Sequence, residues 1–271
     1  MTVARDGERP PDASTAASGE AAALGVVGSL LVWACIVVVT AIFPFLMFPV
    51  FLVSLPFDRT GAWSHWVGAR WGRTIVRLVP GWHVRVEGAE RLAGGPFVIV
   101  ANHQSQVDIL VTFFLDHHFK WLSKRSVFRI PGLGWMMWMC RYIPVVRGDK
   151  RSALRCLEIA ADWIRRGVSV VFFPEGTRSP DGELQPFKGG AFRVAAQTGV
   201  AVLPVLILGT RACLPRDSLR FGRRGDFRVV VGEPIASTGA SAARADEFAG
   251  RVHKEFLALR RRVEERATAV S

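Results

Sequence analysis

The sequence predicts an α/β fold: a single mixed-sheet layered domain with helices on its faces, preceded by an N-terminal membrane-embedded helical segment. Three observations carry this prediction. From residue 84 onward, short apolar and β-branched runs alternate with longer stretches at helical spacing, the rhythm of a sheet with helices packed on it. Upstream, residues 24–57 contain no charged side chain. The chain of 271 residues is long enough to bury one sizeable core.

Taken in order, residues 1–23 mix Ala, Ser, Pro and charge, too little apolar surface to fold on, and are expected to form a disordered tail. Residues 24–57 exceed the roughly 20 apolar residues that a spanning helix requires. Pro44, Pro49 and Pro56 interrupt the run, and proline removes a helix hydrogen bond and bends the chain. One straight helix of that length would rise on the order of 50 Å against a hydrocarbon core of roughly 30 Å. The segment is therefore expected either as one span ending near Pro44 with an interfacial piece after it, or as a re-entrant helical hairpin in one leaflet. A cleaved secretory signal fits less well, because the stretch is too long and no small-residue cleavage site follows.

Residues 58–80 are expected to form an interfacial amphipathic helix, with Trp66, Trp71 and Ile75 near helical spacing and arginines between them. The same tryptophans would equally serve to pack on the main domain. Residues 81–271 hold that domain. Its expected strands are 84–86, 97–101, 120–122, 143–146, 168–173, 202–208 and 227–231, and its expected helices 105–115, 134–140, 152–166 and 190–198. A strongly charged helix over 243–266 closes the chain; its Arg260-Arg261-Arg262 cluster suits either solvent or anionic lipid.

Half of the residues are hydrophobic and nine are tryptophan, rich for a purely soluble domain, while the net charge is +12. Such a charge suits nucleic acid or an anionic surface. Its distribution favours membrane lipid headgroups: arginines sit among Trp63, Trp66, Trp71 and Trp82 directly after the apolar run, and no nucleic-acid fold signature occurs. Arg5 and Arg9 lie among acidic residues before the apolar run, whereas Arg59, Arg70, Arg73, Arg77 and Arg85 follow it. The positive-inside rule then places the main domain on the cytoplasmic face of an inner or plasma membrane. Cys35, Cys140, Cys156 and Cys213 show neither metal-type pairing nor a disulfide framework, and no cluster of ligands implies a metal or other cofactor.

Two turns carry chemistry. His103 follows an apolar strand and precedes a helix, where loops of α/β sheets expose reactive groups, and an imidazole with an ordinary pKa near 6.5 suits proton transfer. Asp108 lies five positions on, which is not a facing spacing within one helix. If the helix starts only near Ser105, the turn can fold the imidazole back so that the carboxylate accepts its second ring N–H. The bland alternative is a capping box, Ser105 at the N-cap with an acid three residues later; one carboxylate has acceptor capacity to serve both uses only in part. The second turn is Glu175-Gly176-Thr177-Arg178 after a strand and Pro174. Gly176 lets backbone N–H groups approach an anion, and Arg178 offers a planar fork matched to phosphate. Alone, such a tetrapeptide is usually an ordinary polar turn.

Together, in this order and separation, the two segments resemble the N-H-x-x-x-x-D and E-G-T-R signatures of glycerolipid acyltransferases of the 1-acyl-sn-glycerol-3-phosphate acyltransferase family. The resemblance runs from about Trp82 to about Pro234. It includes Lys124 to Gly134, Ile143-Pro144-Val145-Val146-Arg147, Phe187-Lys188-Gly189-Gly190-Ala191 and Val202-Leu203-Pro204-Val205. One departure is Arg141, where the arginine-ending block often starts with glycine; it bears on loop shape and acyl-chain fit.

The resemblance implies an enzyme that moves a fatty acyl group from acyl-CoA or acyl carrier protein to the sn-2 hydroxyl of a lysophospholipid, giving phosphatidic acid. His103 would be the base and Asp108 its partner, with direct transfer and no covalent acyl-enzyme. Lys124 and Arg178 would pin the acceptor phosphate, and Gly176 and Thr177 belong to the same substrate-binding turn. Glu175 would orient Arg178 or hydrogen-bond the glycerol hydroxyl. Arg147, Lys188 and Arg125 would meet the phosphates of coenzyme A or the acidic face of a carrier protein, or be plain surface charge. Trp135 to Met139 would line an acyl tunnel or belong to the core. His65, His83, His117, His118 and His253 have no counterpart and are expected to be structural or exposed. The rival readings are another acceptor, such as a lyso-ornithine lipid, a non-catalytic lipid-binding protein, and hydrolysis of the thioester.

Overall fold

The computed structural model describes residues 23–269. Helices α1 (Val26–Ser54) and α2 (Ala62–Leu78) lead into strand β1 (Trp82–Glu87) and strand β2 (Val98–Ala101). Then come α3 (Val107–Thr112), β3 (Phe119–Lys124), α4 (Leu133–Met139), β4 (Ile143–Val145) and α5 (Lys150–Arg165). Strand β5 (Ser169–Phe172), α6 (Gly190–Thr198), β6 (Val202–Leu208), the short α7 (Thr210–Cys213), β7 (Gly225–Val231) and α8 (Ala245–Thr268) complete the chain. Each apolar run expected to be a strand is one.

The seven strands form one sheet in the order β1-β7-β6-β2-β5-β3-β4. Neighbours are parallel except β6 and β7, so the sheet is mixed. All four residues of β2 and of β5 are buried, because helices cover both faces and leave no solvent side for alternation to mark. Successive β2 side chains still point to opposite layers. Ile99 and Ala101 join α1, α2 and α3 in one core with Trp71, Ile75, Phe113 and Phe119, whereas Val98 and Val100 join α5, α6 and α8 around Phe192, Phe248 and Phe256. Strand β2 lies between β6 and β5, so the segments leaving all three meet at one edge of the sheet. Ligand crevices of open α/β sheets lie outside such carboxyl ends.

Helix α1 is one continuous helix, longer than the span expected to end near Pro44 and without the hairpin turn. It runs through Pro44 and Pro49 without a break for 29 residues, about 43 Å, so no hairpin turn forms at either proline. Ser29, Val32, Val39, Pro44, Met47 and Ser54 form a buried stripe at helical spacing, while Val27, Leu31, Val38, Phe45 and Val53 point outward. Both ends of the helix are docked. Near the start, the Leu24 N–H donates to Phe221 O (2.7 Å) and Trp33 Nε1 donates to Leu219 O (2.9 Å). Midway Trp71 Nε1 donates to Thr40 Oγ1 (3.1 Å), and towards the end Phe51 lies 5.4 Å from Trp138. Pro44 is tolerated because its ring faces the packed side, where burial offsets the lost backbone bond.

The tryptophans after α1 divide between the two roles open to them. Trp71 and Trp82 are core residues, Trp66 is half-buried and Trp63 is exposed. In α4 the apolar run also divides: Met136, Met137 and Met139 pack inward, while Trp135 and Trp138 are exposed. Arg141, after α4, has φ 56°, the left-handed conformation that favours the glycine its position suggests. Its Nη1 donates to Arg59 O (2.9 Å), fastening the α1–α2 linker. His65 is structural and buried, with Nδ1 at 3.1 Å from the Tyr142 hydroxyl and Nε2 at 3.0 Å from His117 O.

Candidate active site

The chain leaves β2 at Asn102, whose amide extends the ladder: Nδ2 donates to Ile207 O (2.8 Å) and Oδ1 accepts from Ile207 N–H (2.7 Å). This fixes the exit of β2 against β6. The backbone then turns sharply into α3, and Asp108 holds the turn. Its Oδ2 accepts from Gln104 N–H (2.7 Å), Ser105 N–H (2.8 Å) and His103 Nδ1 (2.8 Å). Its Oδ1 accepts from the Thr210 hydroxyl (2.5 Å). The capping and imidazole-holding uses weighed against each other in the sequence thus coexist on a single oxygen of a fully buried carboxylate.

That arrangement sets the tautomer. The carboxylate can only accept, so Nδ1 carries the proton and Nε2 presents its lone pair. Among the described residues Nε2 has no protein partner, and 14 % of the His103 side chain stays open. The ring is stacked on Phe173 at 4.2 Å between centroids, which fixes its plane. Ser105, the one hydroxyl within the motif, is unavailable as a nucleophile: it is buried, donates to Leu214 O (2.7 Å) and accepts from Val107 N–H (3.2 Å). Cys213 is also buried, and burial pushes its thiol up to about 12.

Glu175 is engaged with the backbone and not with Arg178. Its Oε1 accepts from His103 N–H (2.8 Å) and its Oε2 from Gln185 N–H (3.2 Å), so it points inward beneath His103 rather than towards Arg178. The reason is the adjacency of β2 and β5, which turns the residue after Pro174 under the neighbouring strand's exit. Burial pushes its carboxyl up to about 7; the two N–H donors oppose the shift and the Asp108 and Asp181 charges add to it.

The expected cations divide between the turn after β5 and the ends of β3 and β4. Arg178 is half-buried and donates through Nη1 to Arg216 O (2.7 Å), while Arg216 Nη1 returns a bond to Arg178 O (2.9 Å). Gly176 has φ 76°, and a Cβ there would come 2.5 Å from Lys188 Nζ, so the lysine lies across the bare turn. Thr177 is exposed on the outside of the same turn. Lys124 and Arg147 are exposed at the ends of β3 and just beyond β4, two and three strands from β2. At about 4.8 Å per strand this puts them roughly 10 and 14 Å along the sheet edge from His103.

Sequence reasoning missed Thr210, Asn102 and Phe173 as site residues, and Gln104, whose Nε2 donates to Gly182 O (2.9 Å) and ties the two turns together. Phe173 could have been found from its place beside Glu175. Thr210 could not, because only the pairing of β6 with β2 brings it to Asp108.

Known proteins resemble the chain in sequence and in fold. A family model described as Acyltransferase matches residues 83–208. A chloroplastic 1-acyl-sn-glycerol-3-phosphate acyltransferase of Arabidopsis thaliana is 40% identical over 194 residues, covering 71% of this chain and 53% of that one. A 1-acyl-sn-glycerol-3-phosphate acyltransferase of Saccharomyces cerevisiae is 31% identical over 203 residues, covering 72% and 65%. The chain spans about half the length of the plant and algal relatives it matches. The crystal structure of the 1-acyl-sn-glycerophosphate acyltransferase PlsC from Thermotoga maritima superposes with TM-score 0.69 at 26% identity, covering 86% of this chain and 97% of that one. By the matching family model, by these relatives and by a fold shared over 86% of its length with that structure, the chain belongs to the acyltransferase family.

Proposed function

We propose that the chain transfers a fatty acyl group from acyl-CoA or acyl carrier protein to the sn-2 hydroxyl of 1-acyl-glycerol-3-phosphate, forming phosphatidic acid. The observation that carries this reading is the free Nε2 of an imidazole whose Nδ1–H is held by the buried carboxylate of Asp108. The acceptor hydroxyl gives its proton to Nε2 as its oxygen attacks the thioester carbonyl. Asp108 stabilises the imidazolium that forms. As the tetrahedral intermediate collapses, the C–S bond breaks and the imidazolium returns the proton to the departing thiolate. Transfer is direct, since Ser105 and Cys213 are both buried and the Ser105 hydroxyl is already engaged.

Arg178 on the turn after β5 and Lys188 lying across that turn hold the acceptor phosphate, and Glu175 supports the His103 backbone. Lys124 and Arg147, further along the sheet edge, face the donor's phosphates or an acidic carrier.

The outer face of α1 sits in a membrane. Docking at both ends favours a helix lying in the plane of one leaflet, with the catalytic domain on the cytoplasmic side that the downstream arginines select. The test is phosphatidic acid formation by the full chain in phosphatidylcholine vesicles supplied with 1-acyl-glycerol-3-phosphate and acyl-CoA or acyl carrier protein. The parent forms product and folded, vesicle-bound His103→Ala does not. Product at the parent rate from that variant refutes the reading, as does release of free fatty acid without phosphatidic acid.

A further inference from the structure

We infer that Thr210 is a positioning residue for the acyl transfer, acting through Asp108. The inference rests on the proposed reaction for its kinetic readout and on geometry for its cause. Three donors converge on Oδ2 of Asp108, but among the described residues Oδ1 has one partner, the Thr210 hydroxyl at 2.5 Å. Both side chains are 0% exposed, so solvent does not reach that oxygen.

The position of Thr210 is itself imposed. Gly209 turns the chain out of β6 at φ 87°, and a Cβ there would meet Asp226 O at 2.2 Å, so the tight turn requires glycine. The Thr210 carbonyl accepts from Leu214 N–H (3.0 Å), and Leu214 O takes the Ser105 hydroxyl (2.7 Å). The segment after β6 therefore grips the motif turn at two points, the Asp108 carboxylate and the Ser105 hydroxyl.

A carboxylate held on one oxygen alone can rotate about its last side-chain bond. With both oxygens engaged its plane is fixed, and the Oδ2 lone pairs stay aimed at Nδ1–H. Loss of the Thr210 hydroxyl leaves Oδ1 buried without a partner, and rotation then trades the His103 bond for relief of that oxygen. Thr210 touches neither substrate nor the reacting atoms, so its effect falls on the proton-transfer step and not on binding.

The experiment compares Thr210→Val, which keeps shape and removes the hydroxyl, with Thr210→Ser, which keeps it. Expected for Thr210→Val is a fall in kcat of about 10-fold to 100-fold, the span of a hydrogen bond to a charged group converted at about 1.4 kcal/mol per decade, with both KM values within about twofold. Thr210→Ser retains kcat within about threefold by the same measure. In an Asp108→Asn background, Thr210→Val costs less than about threefold more, because the group through which it acts is already lost.

If valine is not accommodated, Thr210→Ala against Thr210→Ser reads the same hydroxyl. A readout independent of turnover is the 15N spectrum of the imidazoles, in which Thr210→Val shifts His103 from the Nδ1–H tautomer towards a mixture. A parent without acyltransferase activity would end the functional reading, while this spectrum would still judge the geometry. Unchanged kcat and tautomer in Thr210→Val, equal losses for the serine and valine variants, or an undiminished loss in the Asp108→Asn background would each overturn the inference.

Discussion

Replacing Asp108 with asparagine separates the two uses of its carboxyl group. An asparagine fits the site in one orientation. Its carbonyl oxygen must take the place of Oδ2, since an NH2 there would face Gln104 N–H and Ser105 N–H. The amide nitrogen then faces the Thr210 hydroxyl, which can turn to accept. The motif turn is kept and only the charge is lost. Opposite unit charges 2.8 Å apart attract by about 6 kcal/mol at an effective dielectric constant near 20, which corresponds to a fall of roughly 10⁴-fold in rate. Three bonds to a neutral oxygen in place of a charged one lower stability by about 1–3 kcal/mol. The assay is initial-rate phosphatidic acid formation in vesicles at neutral pH, beside a thermal melt of the same preparation. A folded Asp108→Asn protein that keeps more than a tenth of the parent kcat would refute the reasoning, because the carboxylate would then be a cap and nothing else.

Three further outcomes follow from the same geometry. Glu175 stands at about 7 instead of its ordinary 4.5, so its contribution to stability is whole below about pH 4.5 and is lost as pH rises through about 7, on the order of 3 kcal/mol in all. Glu175→Gln removes that dependence; melts across pH 4 to 8 should show the parent's advantage over the variant shrinking as pH rises, and an advantage that grows would contradict the assigned burial effect. Arg178→Ala should raise the acceptor KM by about 10-fold to 100-fold and Lys124→Ala by less, as expected for loss of charged contacts at unequal distance from His103; the reverse ranking would move the phosphate along the sheet edge. Cysteines introduced at Gly25 and Pro56, after replacement of the native ones, should both react with an impermeant maleimide from the same side of sealed vesicles, whereas labelling from opposite sides would show α1 to cross the bilayer.

The strands were legible because burial on both faces demands continuous β-branched runs, and 97–101, 168–173 and 202–208 supply them. Helix α6 coincides with its expected range, while the helix expected over 105–115 is α-helical only from Val107 to Thr112 and tightens into a 3-10 turn at Phe113–Leu115. Pro44 was a poor guide to the end of α1, since the rule for helix breakers counts the lost backbone bond and not the packing gained by a ring on the buried face, whereas Pro56 does follow directly on the helix's last cap residue. Within the site, His103 and Asp108 were legible because they sit in one short segment. The role of Glu175 and the presence of Thr210 were not, because each depends on which strand lies beside β2. The order β6-β2-β5 follows from crossovers through distant helices, which local spacing does not encode.

The five-residue spacing of His103 and Asp108 has its explanation in the cap itself. An uninterrupted helix would point the two side chains to different faces. By taking Ser105 N–H and Gln104 N–H on the oxygen that also takes Nδ1, Asp108 bends the chain before α3 back over the first helical turn, and that bend delivers the imidazole. Starting the helix and assembling the dyad are therefore one structural event. A substitution that loosens the cap also misplaces the base, so activity at this turn should fall more steeply than stability. That coupling explains how a site on an irregular loop holds its geometry: Asn102 anchors the loop to β6, Glu175 anchors it to the turn after β5, and Asp108 closes it from within.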